Sequence, residues 1–221
     1  MNELLFCIQI LAVSISAFVA RRMGEMALVS LVSLLAVLAN LFVTQQILLF
    51  GWNATSSEPL AVGVALSLNL LQESFGKSAA RRAILISTFC VGCCFAFSLL
   101  HCLYTPSPFD QMHDAFLRVL TPSFRISVAS AATYALVQLV DVAIFALLRA
   151  RWQGGRFTLR LIICLAFSQF LDTVLFGFLG LYGIVESLTQ VLSVSLCIKA
   201  ITIPFMTILF SRQKQTDDIP V

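Results

Sequence analysis

Two matched runs set an amide and a carboxylate inside apolar stretches of the chain: Leu136-Val137-Gln138-Leu139-Val140-Asp141-Val142-Ala143-Ile144-Phe145 and Phe167-Ser168-Gln169-Phe170-Leu171-Asp172-Thr173-Val174-Leu175-Phe176. In each, Gln precedes Asp by three residues and a Phe follows the Asp by four. Helical positions i, i+3 and i+7 share a face, so each run predicts a helix that shows one amide, one carboxylate and one ring to a partner. An ionised carboxylate in hydrocarbon costs on the order of 2.5–3.5 kcal/mol, so such residues usually face a cavity or a partner charge. Gln and Asp can also simply bond neighbouring helices together, at ~0.6–2 kcal/mol per hydrogen bond. The duplication, with Lys199, Arg125 and Glu73 also falling in or beside apolar segments, favours a polar pocket.

The elements that position these residues are membrane helices. Hydrophobic residues make up 59% of 221 and charged residues 11%, with a mean hydropathy of +0.96, far from a soluble domain. One all-α polytopic helical bundle accounts for the length: a single transmembrane domain over 1–211, with a cytoplasmic tail over 212–221 that reads as polar and disordered over Gln213–Val221. The net charge of +3 does not imply nucleic acid, because the basic residues are scattered over loops. Cys7, Cys90, Cys93, Cys94, Cys164 and Cys197 lie within apolar stretches and Cys102 ends one; they read as small core or lipid-facing residues, not as disulfides or metal ligands. Asn2 and Glu3 open the chain without a basic region, so the first segment reads as a span and not as a cleaved signal.

Seven apolar segments approach the roughly 20 residues a bilayer requires: Asn2–Ala20, Ala27–Phe50, Glu58–Gly76, Ala83–Tyr104, Phe124–Leu148, Leu161–Tyr182 and Ile184–Phe210. The third is the weak one, because its apolar run is short and ends in Asn69, Gln72, Glu73 and Lys77; without it the count is six. If all seven cross with the N-terminus outside and the C-terminus inside, Arg21, Arg22, Lys77, Arg81, Arg82, Arg149, Arg151, Arg156, Arg160, Arg212 and Lys214 are all cytoplasmic, as the positive-inside rule requires. The outside loop Thr105–Ser123, with Pro106, Pro108, Asp110 and Asp114, reads as an irregular cap with a short surface helix. At about 1.5 Å per residue, Asp141 lies ~12 Å from Arg149, Asp172 ~18 Å from Arg160 and Lys199 ~20 Å from Arg212, all mid-membrane. The fifth and sixth segments run antiparallel, so their Gln/Asp faces can meet, and Lys199 can offset one carboxylate.

These residues carry a resemblance to the queuosine precursor transporter family, also called the vitamin uptake transporter family. The likeness runs from about Asn40 to Pro204. It rests on Ala39-Asn40, on Asn69-Leu70-Leu71-Gln72-Glu73-Ser74-Phe75-Gly76-Lys77-Ser78-Ala79-Ala80-Arg81-Arg82, and on Pro122-Ser123-Phe124-Arg125-Ile126 with Ser130, Gln138 and Asp141. It continues in Ser168-Gln169-Phe170-Leu171-Asp172-Thr173 with Phe176, and in Lys199 with Thr202-Ile203-Pro204. The resemblance implies import of 7-deazaguanine bases (7-cyano-7-deazaguanine, 7-aminomethyl-7-deazaguanine or queuine) through the cell inner membrane for tRNA modification. It implies no cofactor. One departure is Asn69, where the family pattern has Asp; losing that carboxylate bears on substrate preference. A deazaguanine offers N1–H and the 2-amino group side by side to a carboxylate (Asp141 or Asp172), O6 to an amide (Gln138 or Gln169), Arg125 or Lys199, and a flat face to Phe145 or Phe176. A cationic aminomethyl group suits a buried carboxylate such as Glu73.

Other classes leave weaker traces. The chain lacks Gly-x-x-x-x-Gly-Lys-[Ser/Thr], so any ATP hydrolysis needs a separate module; a substrate-binding subunit of an energy-coupling-factor transporter is the alternative, with protons as coupling ion in the importer reading. An intramembrane aspartyl enzyme would share a proton between two carboxylates, but each Asp here comes with a Gln, as in a recognition pair.

Overall fold

A computed structural model describes residues 1–43, 45–120, 124–152, 157–182 and 188–217, with the backbone alone at 53, 124–127, 157, 181, 190, 191 and 205–217. The helices are α1 (Asn2–Met23), α2 (Glu25–Phe42), α3 (Glu58–Phe75), α4 (Lys77–Cys102), the short α5 (His113–Leu120), α6 (Phe124–Arg151), α7 (Phe157–Phe176), which continues as a π-helical turn over Gly177–Leu181, and α8 (Leu188–Asp217). The chain is an all-α, polytopic bundle. Among the described residues, Asn2–Met23, Glu25–Phe42, Lys77–Cys102, Val128–Arg151 and Thr158–Gly180 are long and apolar enough to cross a bilayer. With α3 (18 residues, ~27 Å) and α8, the described residues form seven long helices.

The weak third segment is the central helix. From Glu58 to Gln72 every α3 residue except Ala61 is buried, and α3 packs against α1, α2, α4, α6, α7 and α8. A helix wrapped in protein on all sides meets no lipid, which is why it tolerates Ser67, Asn69 and Gln72 where a lipid-facing helix would not. Close packing starts at Gly63, where an added Cβ would overlap Val13 Cγ1 of α1 and lie 3.3 Å from Leu35 Cδ1 of α2. Gly24 (φ 109°) and Gly76 (φ 91°) end one helix and begin the next, so α1–α2 and α3–α4 reverse without a loop.

Two expectations are corrected. The second apolar segment does not run to Phe50 as a span; α2 ends at Phe42, and Gln46–Leu49 (β1) and Trp52–Thr55 (β2) form an antiparallel hairpin with Leu49 opposite Trp52. The turn residues Phe50 (φ 52°) and Gly51 (φ 83°) both take positive φ, the type I′ geometry whose twist suits two paired strands. Asn2 donates to Leu48 O (3.0 Å), and Phe50 N–H donates to Glu3 Oε1 (3.2 Å), tying the hairpin to the start of α1. The second correction is the tail: α8 remains helical through Gln213, Lys214 and Gln215, all good helix formers, to Asp217, while 218–221 lie outside the described residues. Cys164 is, as expected, a buried core residue, and it also contacts Asp141 as set out below. The short surface helix expected between the fourth and fifth segments is α5, with His101 edge-on to Phe116 at 5.3 Å between ring centroids.

Candidate functional site

α6 and α7 run antiparallel in contact, and their Gln/Asp runs meet, although not symmetrically. Asp141 is fully buried. Its Oδ1 accepts from Ser168 Oγ in a short hydrogen bond and from Cys164 Sγ at 3.0 Å. Cys164 Sγ also lies 3.3 Å from Asp141 O and 3.8 Å from Asn69 Oδ1, so α3, α6 and α7 converge on one thiol. Ser168 and Cys164 are four residues apart, one above the other on α7, so both face the same carboxylate. The interior that α3, α6 and α7 share is polar but incompletely satisfied: Asp141 Oδ2, Asn69 Nδ2, Gln138 Oε1, Gln169 Oε1 and Gln72 Oε1 are buried without a hydrogen-bond partner among the described residues. Native interiors leave few such atoms, because each costs about 1–3 kcal/mol of lost hydration. Three acceptor oxygens and one donor of this set come from residues singled out in the sequence.

Asp172 takes different partners. It lies four residues beyond Ser168 on the same α7 face, ~6 Å along the axis, and its Oδ2 accepts from Lys199 Nζ of α8 at 3.1 Å. The expected pairing of Lys199 with one carboxylate is thus present, but a second acid shares it: Glu58 Oε2, at the start of α3, lies 3.4 Å from Nζ. Nζ also donates to Thr173 Oγ1 (2.9 Å), while Glu58 Oε1 accepts from Ser195 Oγ (2.6 Å) and Thr55 Oγ1 (3.4 Å). Lys199 and Glu58 are buried; Asp172 is more open, with 29% of its side-chain surface exposed. The sequence reading missed Glu58, because an acid after Ser57 and before Pro59 looks like an ordinary helix start; only the return of α8 reveals its partner.

The remaining expected residues lie elsewhere. Glu73 pairs with Arg160 (3.3 Å) and Arg149 (3.7 Å), and Arg149 also donates to Gln72 O (2.9 Å), so Glu73 closes the helix ends around it and is already committed to two cations. Gln72 donates Nε2–H to Val142 O at 3.1 Å, bracing α3 on α6. Asn40 donates to Ala36 O (2.9 Å) and accepts a short bond from Ser130. Ser130 is eleven residues, ~16 Å, along α6 from Asp141, so Asn40 is not part of the central set; it lines an apolar cavity of about 150 Å³ between α2, α4, α5 and α6 with Val91, Phe95 and Val128. Arg125 lies in the first turn of α6, and its side chain is outside the described residues. Phe145 is packed in the core, whereas Phe176 is half-buried at the end of α7 beside the π-helical turn.

A family model described as "Putative vitamin uptake transporter" matches residues 60–212, which takes in nearly all of α3 and everything from there into α8. No curated protein matches the chain. No solved structure matches it either.

Proposed function

The chain belongs to the vitamin uptake transporter family, a multi-pass membrane family, and from that premise we propose that it imports queuosine precursors, 7-deazaguanine bases, across the cell inner membrane. The observation that carries this reading is the set of unsatisfied buried atoms on α3, α6 and α7, Asp141 Oδ2 among them. The set is rich in acceptors and offers one donor, from Asn69; a deazaguanine is its complement, with N1–H and the 2-amino group as donors and O6 as acceptor. Because Oδ1 of Asp141 is held by Ser168 and Cys164, the donor edge is read by Oδ2 together with an amide oxygen of Gln138 or Gln169, not by both oxygens of one carboxylate. Asn69 Nδ2 donates to O6. This gives the Asp-to-Asn departure a use, since an Asp there would offer O6 no donor unless protonated. A site of buried polar partners rejects ligands that leave those partners unpaired.

The orientation we infer is N-terminus out and C-terminus in, with residues 1–211 as one transporter domain. The experiment that tests the function is the queuosine content of tRNA in a bacterium unable to make or import deazaguanines and expressing this chain. Each base is supplied separately at low concentration, beside Asp141→Asn. Restoration by a base, with loss in the variant, is the expected result. Failure with every base despite membrane expression would overturn the reading.

A further inference from the structure

Among the described residues, the interior around Asp141 and Lys199 holds three carboxylates, those of Asp141, Asp172 and Glu58, against the one ammonium of Lys199. Arg149 and Arg160 do not redress the excess, since both are engaged by Glu73 at the other end of α3. Lys199 is itself divided: its Nζ sits between Glu58 Oε2 at 3.4 Å and Asp172 Oδ2 at 3.1 Å, with Thr173 Oγ1 completing a ring of oxygens from α3 and α7. A cation shared by two acids can move onto one of them when a second cation arrives at the other, and neither acid is then left unpaired. Asp172 is the acid positioned to receive the newcomer, being the more exposed of the two and lying one helical turn from Ser168, which holds Asp141. Glu58 is positioned to keep Lys199, because Ser195 and Thr55 already orient its other oxygen.

We propose that this site selects a positively charged ligand: a 7-deazaguanine whose 7-substituent carries a protonated amine, with the base edge at Asp141 and the ammonium at Asp172, while Lys199 shifts its weight to Glu58. The proposal rests on the deazaguanine reading above and narrows it to the cationic members. An alkyl ammonium keeps its proton at neutral pH, and a charge-assisted hydrogen bond to a largely desolvated carboxylate is about twice as strong as a neutral one. The neutral nitrile of the cyano base gains nothing at Asp172.

Calorimetric titration of the purified full-length chain in lipid nanodiscs at neutral pH, with 7-aminomethyl-7-deazaguanine and 7-cyano-7-deazaguanine in parallel, tests this. The aminomethyl base is expected to bind about tenfold tighter or more, corresponding to ~1.4 kcal/mol. Asp172→Asn brings the two bases level by weakening only the cationic one. Glu58→Gln shrinks the preference as well, because Lys199 then has no second acid and stays on Asp172. Equal or tighter binding of the cyano base overturns the charge selection and leaves the deazaguanine reading standing. Binding of neither base by a protein with a cooperative thermal transition overturns both. If either variant fails to fold, the comparison of the two bases on the unaltered chain still decides.

Discussion

At Asp141 the two carboxylate oxygens are not equivalent. Oδ1 has two donors from α7, and Oδ2 has none among the described residues, so in the proposed binding mode Ser168 fixes which oxygen faces the ligand. The hydroxyl is the stronger of the two donors, a thiol being weak, and a hydrogen bond to a charged group contributes roughly 1.5–3 kcal/mol. Ser168→Ala is therefore expected to raise the Kd for the deazaguanine about tenfold, while Cys164→Ser and Ser168→Thr, which keep a donor at each position, bind nearly as the unaltered chain does. Unchanged affinity in Ser168→Ala, measured by titration, would remove Ser168 from this positioning role. The sequence made Asp141, Gln138, Gln169 and Asp172 legible because charge and amide inside an apolar run stand out against their neighbours. It hid Cys164, whose type is indistinguishable from packing residues in such a run.

At the scale of elements, hydropathy identifies helices that touch lipid and undervalues the one that does not. α3 looks weak because its polar residues are those enclosed by the bundle, and the same enclosure lets it contribute Glu58 and Asn69 to the interior. The hairpin escaped notice for a different reason. The apolar composition of α2 continues past its end, with Ile47, Leu48, Leu49 and Phe50 following Gln45 and Gln46, and the turn lacks the Asn-Gly pair that usually announces type I′ geometry. Phe50 holds φ 52° there and is 82% exposed. Asn tolerates this region far better than other non-glycine residues, whereas a β-branched residue is a marked outlier. Phe50→Asn is expected to raise the thermal transition and Phe50→Val to lower it, each by an amount on the order of 1 kcal/mol. Equal transition temperatures for the two variants in detergent would mean that the turn does not limit stability.

Across the whole molecule, charge is sorted by end. Ion pairs and polar contacts at the end where α1, α3 and α6 finish engage Arg21 with Ser74 (3.1 Å), Arg82 with Glu25 (2.7 Å), and Arg149 and Arg160 with Glu73. The opposite end carries the hairpin, the start of α3 and the Pro106–Asp110 loop before α5. Basic loops resist transfer across the membrane, so the proposed orientation puts the arginine-bearing end on the cytoplasmic side and the hairpin end outside. Two exposed serines flank α4 and report on this directly: Ser78 at its start, beside Lys77, and Ser107 after its end. In a chain whose native cysteines are replaced, with serine at Cys164, an impermeant maleimide is expected to label Ser107→Cys on intact cells. Ser78→Cys should react only after the cells are permeabilised. The reverse pattern would invert the orientation and place the Glu58–Lys199–Asp172 cluster nearer the cytoplasm, so that a ligand would meet the arginine end first. Labelling of both positions on intact cells would mean that α4 does not separate the two compartments, and the seven-helix crossing would fall with it.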